Sequence, residues 1–236
     1  MSAVDHLVSP VDVLALQYGN PRRMIGIPLL ILGGVVVLTV AVSVAVLRAG
    51  GTVAGAQGNG SILWSVLGYT VALGAQNVAS SFPFSLALGS SRRAFVLGNL
   101  LTAAAQALLV AVASLVLLGI EVATGGWFIG VHVVRSGLTG DGDPLVLGGA
   151  MLLGVLMAMS IGGVFAAAWV RFGARGPLGI AIGTTALLVV VLLVLSPIAA
   201  SVRPAVEAIE PWWVAVLVTA VALVGQYLFL RRASVR

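Results

Sequence analysis

Six long apolar runs joined by short connections leave this chain one solvent in which to fold. The runs are Met24 to Leu47, Ser61 to Val78, Ala94 to Ile120, Leu145 to Val170, Leu178 to Ala200 and Trp212 to Leu230. A helix rises about 1.5 Å per residue and the bilayer hydrocarbon is about 30 Å thick, so about twenty apolar residues span it. None of these runs contains a charged side chain, and the connections are too short to shield six such helices from water. The expected fold is therefore all-α: a polytopic membrane protein with six transmembrane helices in a single domain over residues 1–236. Within it, 1–23 form a cytoplasmic interfacial segment, the spans lie within 24–230, and 231–236 form a cytoplasmic tail.

The arginines give the expected orientation. Of the twelve, nine fall in alternate gaps: Arg22 and Arg23, Arg92 and Arg93, Arg171 and Arg175, and Arg231, Arg232 and Arg236. The other gaps hold Arg48, Arg135 and Arg203. The positive-inside rule then puts both termini in the cytoplasm. Glu121, Asp141, Asp143, Glu207 and Glu210 fall in the outer gaps. Trp212 and Trp213 at the start of the last run, Tyr227 and Phe229 at its end, and Trp64 and Trp169 near other ends match the aromatic belts of membrane interfaces.

Missing residue types exclude several functions. The chain has no lysine, so the phosphate-binding loop G-x-x-x-x-G-K-[ST] is impossible and no nucleotide-binding domain of that kind is present. It also has no cysteine, which removes disulfides, thiolate nucleophiles and cysteine metal ligands. The arginines are dispersed among membrane helices rather than gathered on one basic face, which argues against nucleic acid as a partner. The first apolar run begins after more than twenty mixed residues and is too long for a signal-peptide core, so it is expected to be a retained span.

Ser9-Pro10-Val11-Asp12 reads as a helix start, with a capping hydroxyl, proline at the first helical position and an acid in the first turn. A short helix is expected there, with Val11, Leu14, Ala15 and Tyr18 on one face and lying at the cytoplasmic interface. In the fourth run Ala150, Gly154, Ala158, Gly162 and Ala166 recur every four residues, a small-residue stripe expected to pack on a neighbouring helix of the same chain. The connection from Glu121 to Pro144 contains Gly125-Gly126-Trp127-Phe128-Ile129, expected in the outer interface, and Asp141-Gly142-Asp143, which lacks the terminal glutamate of a calcium loop and reads as a solvated turn. His6 and His132 read as isolated surface side chains without the partners of a ligand or base, and no metal is assigned.

The segment between the second and third runs carries the most chemistry. Pro83 is placed to start a short helix and Gly89 to end it, after which Ser90 or Ser91 caps the third span. Phe82, Phe84, Leu86 and Leu88 are too apolar for a solvated hairpin and need lipid or another protein. Arg92 and Arg93 fall in the first turn of a helix, where the macrodipole disfavours cations by about 0.3 to 1 kcal/mol each. Anionic lipid and an acidic patch on a cytoplasmic partner both answer that cost.

Phe82-Pro83-x-Ser85-x-x-Leu88-Gly89-x-Ser91-Arg92-Arg93 resembles the cytoplasmic loop of bacterial permease subunits of type-2 ATP-binding cassette (ABC) exporters. The basic N-terminal segment, the six-span layout and Arg171-Phe172-Gly173-Ala174-Arg175-Gly176 are also similar to that family. The resemblance implies the type-2 ABC exporter transmembrane fold in a bacterial cell membrane. It further implies a second permease protomer, in a homodimer or heterodimer, and separate ABC ATPase subunits that bind ATP and Mg, with no cofactor in this chain. Phe82, Pro83, Phe84, Leu86 and Leu88 would then form a coupling helix on the ATPase, with Arg92 and Arg93 at its edge. The segment Ser201 to Pro211 is short for the helical hairpin that precedes the last span in several such relatives.

Uncharged polar residues within the spans complete the candidates. Gln76 and Asn77, Asn99 and Gln106 are candidate substrate-path residues, and Gln226 lies in the last span; interhelical hydrogen bonding is the competing role for all of them. An ion-coupled transporter would need ionisable residues along its pathway, and an intramembrane enzyme a nucleophile with its base or metal ligands; the runs contain no His, Asp, Glu or Cys. The expected function is export of an amphiphilic substrate such as a drug, lipid or hydrophobic peptide, with a non-transporting scaffold or sensor subunit as the alternative.

Overall fold

A computed structural model describes residues 9–52, 60–198, 201, 204, 210–231 and 233. His6, Ala200, Arg203, Glu207, Arg232 and Arg236, and most of the segment from Ser201 to Pro211, lie outside the described residues. The helices are α1 (Pro10–Tyr18), α2 (Ile27–Arg48), α3 (Ser61–Ala87), α4 (Arg92–Ala123), α5 (Pro144–Phe172), α6 (Arg175–Leu195) and α7 (Pro211–Arg231), and no strand occurs among the described residues. A π-helical turn, Arg22–Gly26, leads directly into α2. Six of these segments, α2 with its leading turn and α3 to α7, are long and apolar enough to cross a membrane. The chain is a multi-pass membrane protein.

The expected cap starts α1. The Ser9 hydroxyl accepts from the Asp12 backbone N–H at 3.3 Å, and the Asp12 carboxylate accepts from the Ser9 N–H at 2.8 Å. The hydrogen bonds from the Ser9 side chain and then its backbone hold the Asp12 carboxyl below its usual range. The buried face differs from the expected one. Val13 and Gln17 point inward, Leu14 and Tyr18 are half-buried, and Val11 and Ala15 are exposed. In a bilayer the apolar side chains lose nothing by facing lipid, whereas Gln17 needs a partner, so the polar residue turns toward the protein.

The bundle is organised around α5, which meets α3, α4, α6 and α7. The small-residue stripe explains this. A methyl group at Gly162 would overlap the Val71 carbonyl oxygen of α3, and one at Gly74 of α3 would overlap the Met159 carbonyl oxygen of α5. Two reciprocal glycines thus bring the backbones into contact, which maximises dispersion where lipid removes the hydrophobic drive between helices. Ala158 and Ala166 are buried on the same stripe, and Gly154 faces Leu67. By contrast α6 packs on α5 close to Gly176 and leaves its apolar window unburied. It ends at Leu195, earlier than its apolar run, and Ser196–Ile198 continues as a 3-10 turn.

Candidate functional site

Between α3 and α4 the chain reverses within four residues, Leu88 to Ser91. Gly89 adopts φ +89°, and the Gly89 and Ser90 N–H groups donate to the Leu86 and Ser85 carbonyls, a left-handed helix stop that glycine makes without strain. Ser91 then caps α4, its hydroxyl accepting from the Ala94 N–H at 3.1 Å. The expected separate helix from Pro83 to Leu88 is absent: α3 continues through Pro83 to Ala87. Proline inside a helix costs about 3 kcal/mol. Buried Phe82 and Ser85 on either side of Pro83 anchor the last turn to the bundle and keep it helical.

The docking set therefore divides. Phe82 is fully buried, edge-on to Phe95 with ring centroids 5.1 Å apart, in a cluster with Val13, Val78, Ala167 and Leu230. It is a core residue and offers no surface to a partner. Leu86 packs half-buried against the same cluster, and Pro83 is also half-buried. Phe84 and Leu88 are 53% and 52% exposed and, four apart, share the outward face of the final turn.

The paired arginines divide as well. Arg92 turns inward and its Nη1 donates to the Leu230 carbonyl in the last turn of α7. A helix C-terminus favours a cation, so α7 offsets the penalty Arg92 incurs at the start of α4. Arg171 reinforces the arrangement, donating to the Leu228 carbonyl at 3.4 Å while its guanidinium stacks 4.6 Å from the Phe172 ring centroid. Arg93 remains exposed.

Three of the four candidate path residues hold the N-terminal segment in place. Asn77 accepts from the Arg23 guanidinium at 3.1 Å, and the Tyr69 hydroxyl donates to the Arg23 carbonyl at 2.8 Å. Asn99 accepts from Gln17 Nε2 at 3.3 Å, and Gln106 accepts from the Tyr18 hydroxyl at 3.4 Å. Burial pushes the Tyr18 phenol pKa up. Gln76 is exposed and, with Ala79, Phe165, Trp169 and Pro177, lines an open crevice of about 300 Å³ between α3, α5 and α6. Gln226 is fully buried against Gly163, and neither of its amide atoms has a hydrogen-bond partner among the described residues.

Gly98 makes the α1 contact possible, since a Cβ there would lie 2.6 Å from both the Pro10 carbonyl oxygen and Val13 Cβ. Gly98→Leu is expected to lever α1 off α4. A cysteine replacing the buried Val13, introduced into the natural cysteine-free chain, should then react with a thiol reagent at least about tenfold faster. Unchanged protection of that thiol would show that α1 is held by other contacts.

At the opposite end of the bundle lies an anchor that charge counting assigned only to a loop. Glu121 sits in the last turn of α4 and is 1% exposed. Its Oε2 accepts from Trp127 Nε1 at 3.0 Å and from the Val133 and Val134 N–H groups at 2.8 Å each, and its Oε1 accepts from the Arg135 N–H at 3.3 Å. His132 is not isolated, because its Nδ1 lies 3.5 Å from Glu121 Oε1. The loop gathered by this carboxylate includes Trp127 and Phe128 with φ 54° and 65°, a left-handed conformation that costs a non-glycine residue of order 1–3 kcal/mol. The indole bond to Glu121 helps hold it. Phe128 projects outward, 86% exposed, consistent with an interfacial aromatic. Asp143 caps α5, accepting from the Leu145 N–H at 2.8 Å. The signal for Glu121 was present in the sequence as an acid directly continuous with an apolar run, a position where lipid requires either neutralisation or several donors.

No family model, curated protein or solved structure matches the chain. The geometry therefore stands on its own. No group of three or more His, Cys, Asp or Glu side chains able to hold a metal occurs among the described residues. What the arrangement offers is a short turn with an apolar tip at the arginine-rich end, an N-terminal helix clamped to α4 by side-chain hydrogen bonds, a carboxylate-anchored loop at the other end, and α6 exposed along its length.

Proposed function

We propose that this chain is the permease subunit of a type-2 ABC exporter, moving an amphiphilic substrate outward with ATP hydrolysed on a separate subunit. The observation that carries the reading is the α3–α4 turn. The segment Phe82 to Arg93, whose sequence resembles the ATPase-docking loop of that family, is a capped reversal that presents Phe84 and Leu88 outward. In this reading the arginine-rich end is cytoplasmic, and the final turn of α3 transmits ATPase closure directly along α3 to its glycine contact with α5. The exposed length of α6 is available to a second permease protomer, and Gln76 is the polar residue nearest a substrate route. The hydrogen bonds of the ionisable groups at the helix ends argue against ion coupling: Glu121 is committed to loop N–H groups and Arg23 donates to Asn77, so neither is free to relay an ion.

Phe84→Asp tests the reading without disturbing the core, because Phe84 lies outside the Phe82 cluster. At matched membrane expression it should lower copurification of the partner ATPase at least about tenfold and abolish substrate-stimulated ATP turnover. Full retention of both would remove this turn as the coupling element. A scaffold or sensor subunit predicts capture of a partner whose ATP turnover ignores every candidate substrate.

A further inference from the structure

The bond from Arg92 to the Leu230 carbonyl brings the first turn of α4 against the last turn of α7, and with it two more arginines. Arg93 follows Arg92 and lines a crevice of about 240 Å³ with Val96, Leu97 and Tyr227. Arg231 follows Leu230 and lies four residues beyond Tyr227, on the same face of α7 and one turn closer to the helix end. Both arginines are exposed, and among the described residues neither guanidinium nor the Tyr227 hydroxyl has a hydrogen-bond partner. No carboxylate among the described residues lies within ion-pair distance of either arginine. Arg93 thus lines an apolar crevice from the first turn of a helix whose dipole disfavours a cation, with a second unpaired cation one turn beyond the Tyr227 that lines the same crevice, an arrangement suited to an anion that also brings apolar bulk.

We propose that this crevice binds one anionic phospholipid. Its phosphate sits between Arg93 and Arg231 within reach of the Tyr227 hydroxyl, and an acyl chain runs along Val96, Leu97 and Tyr227. The crevice opens to the hydrocarbon at the boundary of two spans, where Leu97 is 54% exposed. A soluble anion would gain only the screened charge contact. A lipid adds burial of its methylene groups and is concentrated at the membrane surface that attracts juxtamembrane arginines. The assignment is independent of the transport reading, and it gives Arg93 a membrane partner in place of a protein one.

Native mass spectrometry of the full-length protein, purified in detergent and titrated with phosphatidylglycerol or phosphatidylcholine, tests the site. The wild type should retain one phosphatidylglycerol with at least about fivefold preference over phosphatidylcholine. The double variant Arg93→Gln, Arg231→Gln should lose that preference while leaving the Arg92 tie intact. Leu97→Trp, which fills the crevice and keeps both charges, should lower phosphatidylglycerol retention to a similar degree. Undiminished retention in either variant would overturn the proposal. So would inorganic phosphate at millimolar concentration raising the thermal midpoint as far as phosphatidylglycerol does, since that result would mark a site for a free anion.

Discussion

Replacing Gly162 with alanine is expected to destabilise the bundle by about 3 kcal/mol or more, although alanine is the better helix former. The added methyl group would overlap the Val71 carbonyl oxygen, and backbone has no rotamer by which to retreat. Relief requires α3 and α5 to separate, which also breaks the reciprocal contact of Gly74 with Met159 and loosens the surface on which α4 and α7 rest. Gly68 supplies the control. It lies on α3 with nothing within 4 Å of its notional Cβ, so Gly68→Ala should be neutral or stabilising by up to about 1 kcal/mol. Thermal unfolding in detergent, followed by circular dichroism, compares the two. Equal midpoints would mean that the crossing between α3 and α5 is looser than its geometry indicates.

Glu121→Ala should release the loop it gathers while leaving the spans folded. The substitution leaves the Trp127 indole and the Val133, Val134 and Arg135 amides without their acceptor. An orphaned buried donor costs about 1–3 kcal/mol, so the loop conformation should lose several kcal/mol and its left-handed turn should relax. Hydrogen exchange should accelerate by about a hundredfold or more at residues 133–135 and remain unchanged in α3 and α5. Glu121→Gln keeps one acceptor oxygen and should fall between. Slow exchange in the alanine variant would assign the loop's order to the Ser136–Thr139 hydrogen bonds and the buried valines instead.

Element identity was legible in the sequence because it rests on local chemistry: length and apolarity for the spans, Ser9 and Asp12 for α1, Gly89 and Ser91 for the reversal. The small-residue stripe also named its own contact, since glycine spacing records where a second backbone approaches. Facing was harder to read. Pro83 signals a helix start only when nothing upstream is helical, and the burial of Phe82 depends on Val13, Ala167 and Leu230, which are remote in sequence. The inward turn of α1 failed to follow from periodicity for a related reason: apolarity marks the buried face in water, and it loses that meaning in lipid. Asn77, Asn99 and Gln106 read in the sequence as substrate-path candidates or interhelical hydrogen-bond partners, and the groups they bond stand on α1 and the π-helical turn, more than fifty residues away in sequence. Arg92 and Arg93 are adjacent and alike, so only the position of α7 separates them.

The central place of α5 has a consequence for biogenesis. The spans enter the bilayer in chain order, and α3 and α4 arrive before the helix that joins them exists. Direct contacts of α3 with α4 are sparse beside those each forms with α5, so until α5 arrives the glycine seam of α3 faces lipid. Synthesis of α5 closes that seam, and α7 then completes the assembly when its C-terminal carbonyls meet Arg92 and Arg171, residues made long before. A ribosome stalled before residue 144 would therefore leave α3 and α4 without the helix that joins them and more open to quality-control proteolysis, and survival of the nascent protein should rise in a step once α5 leaves the translocon.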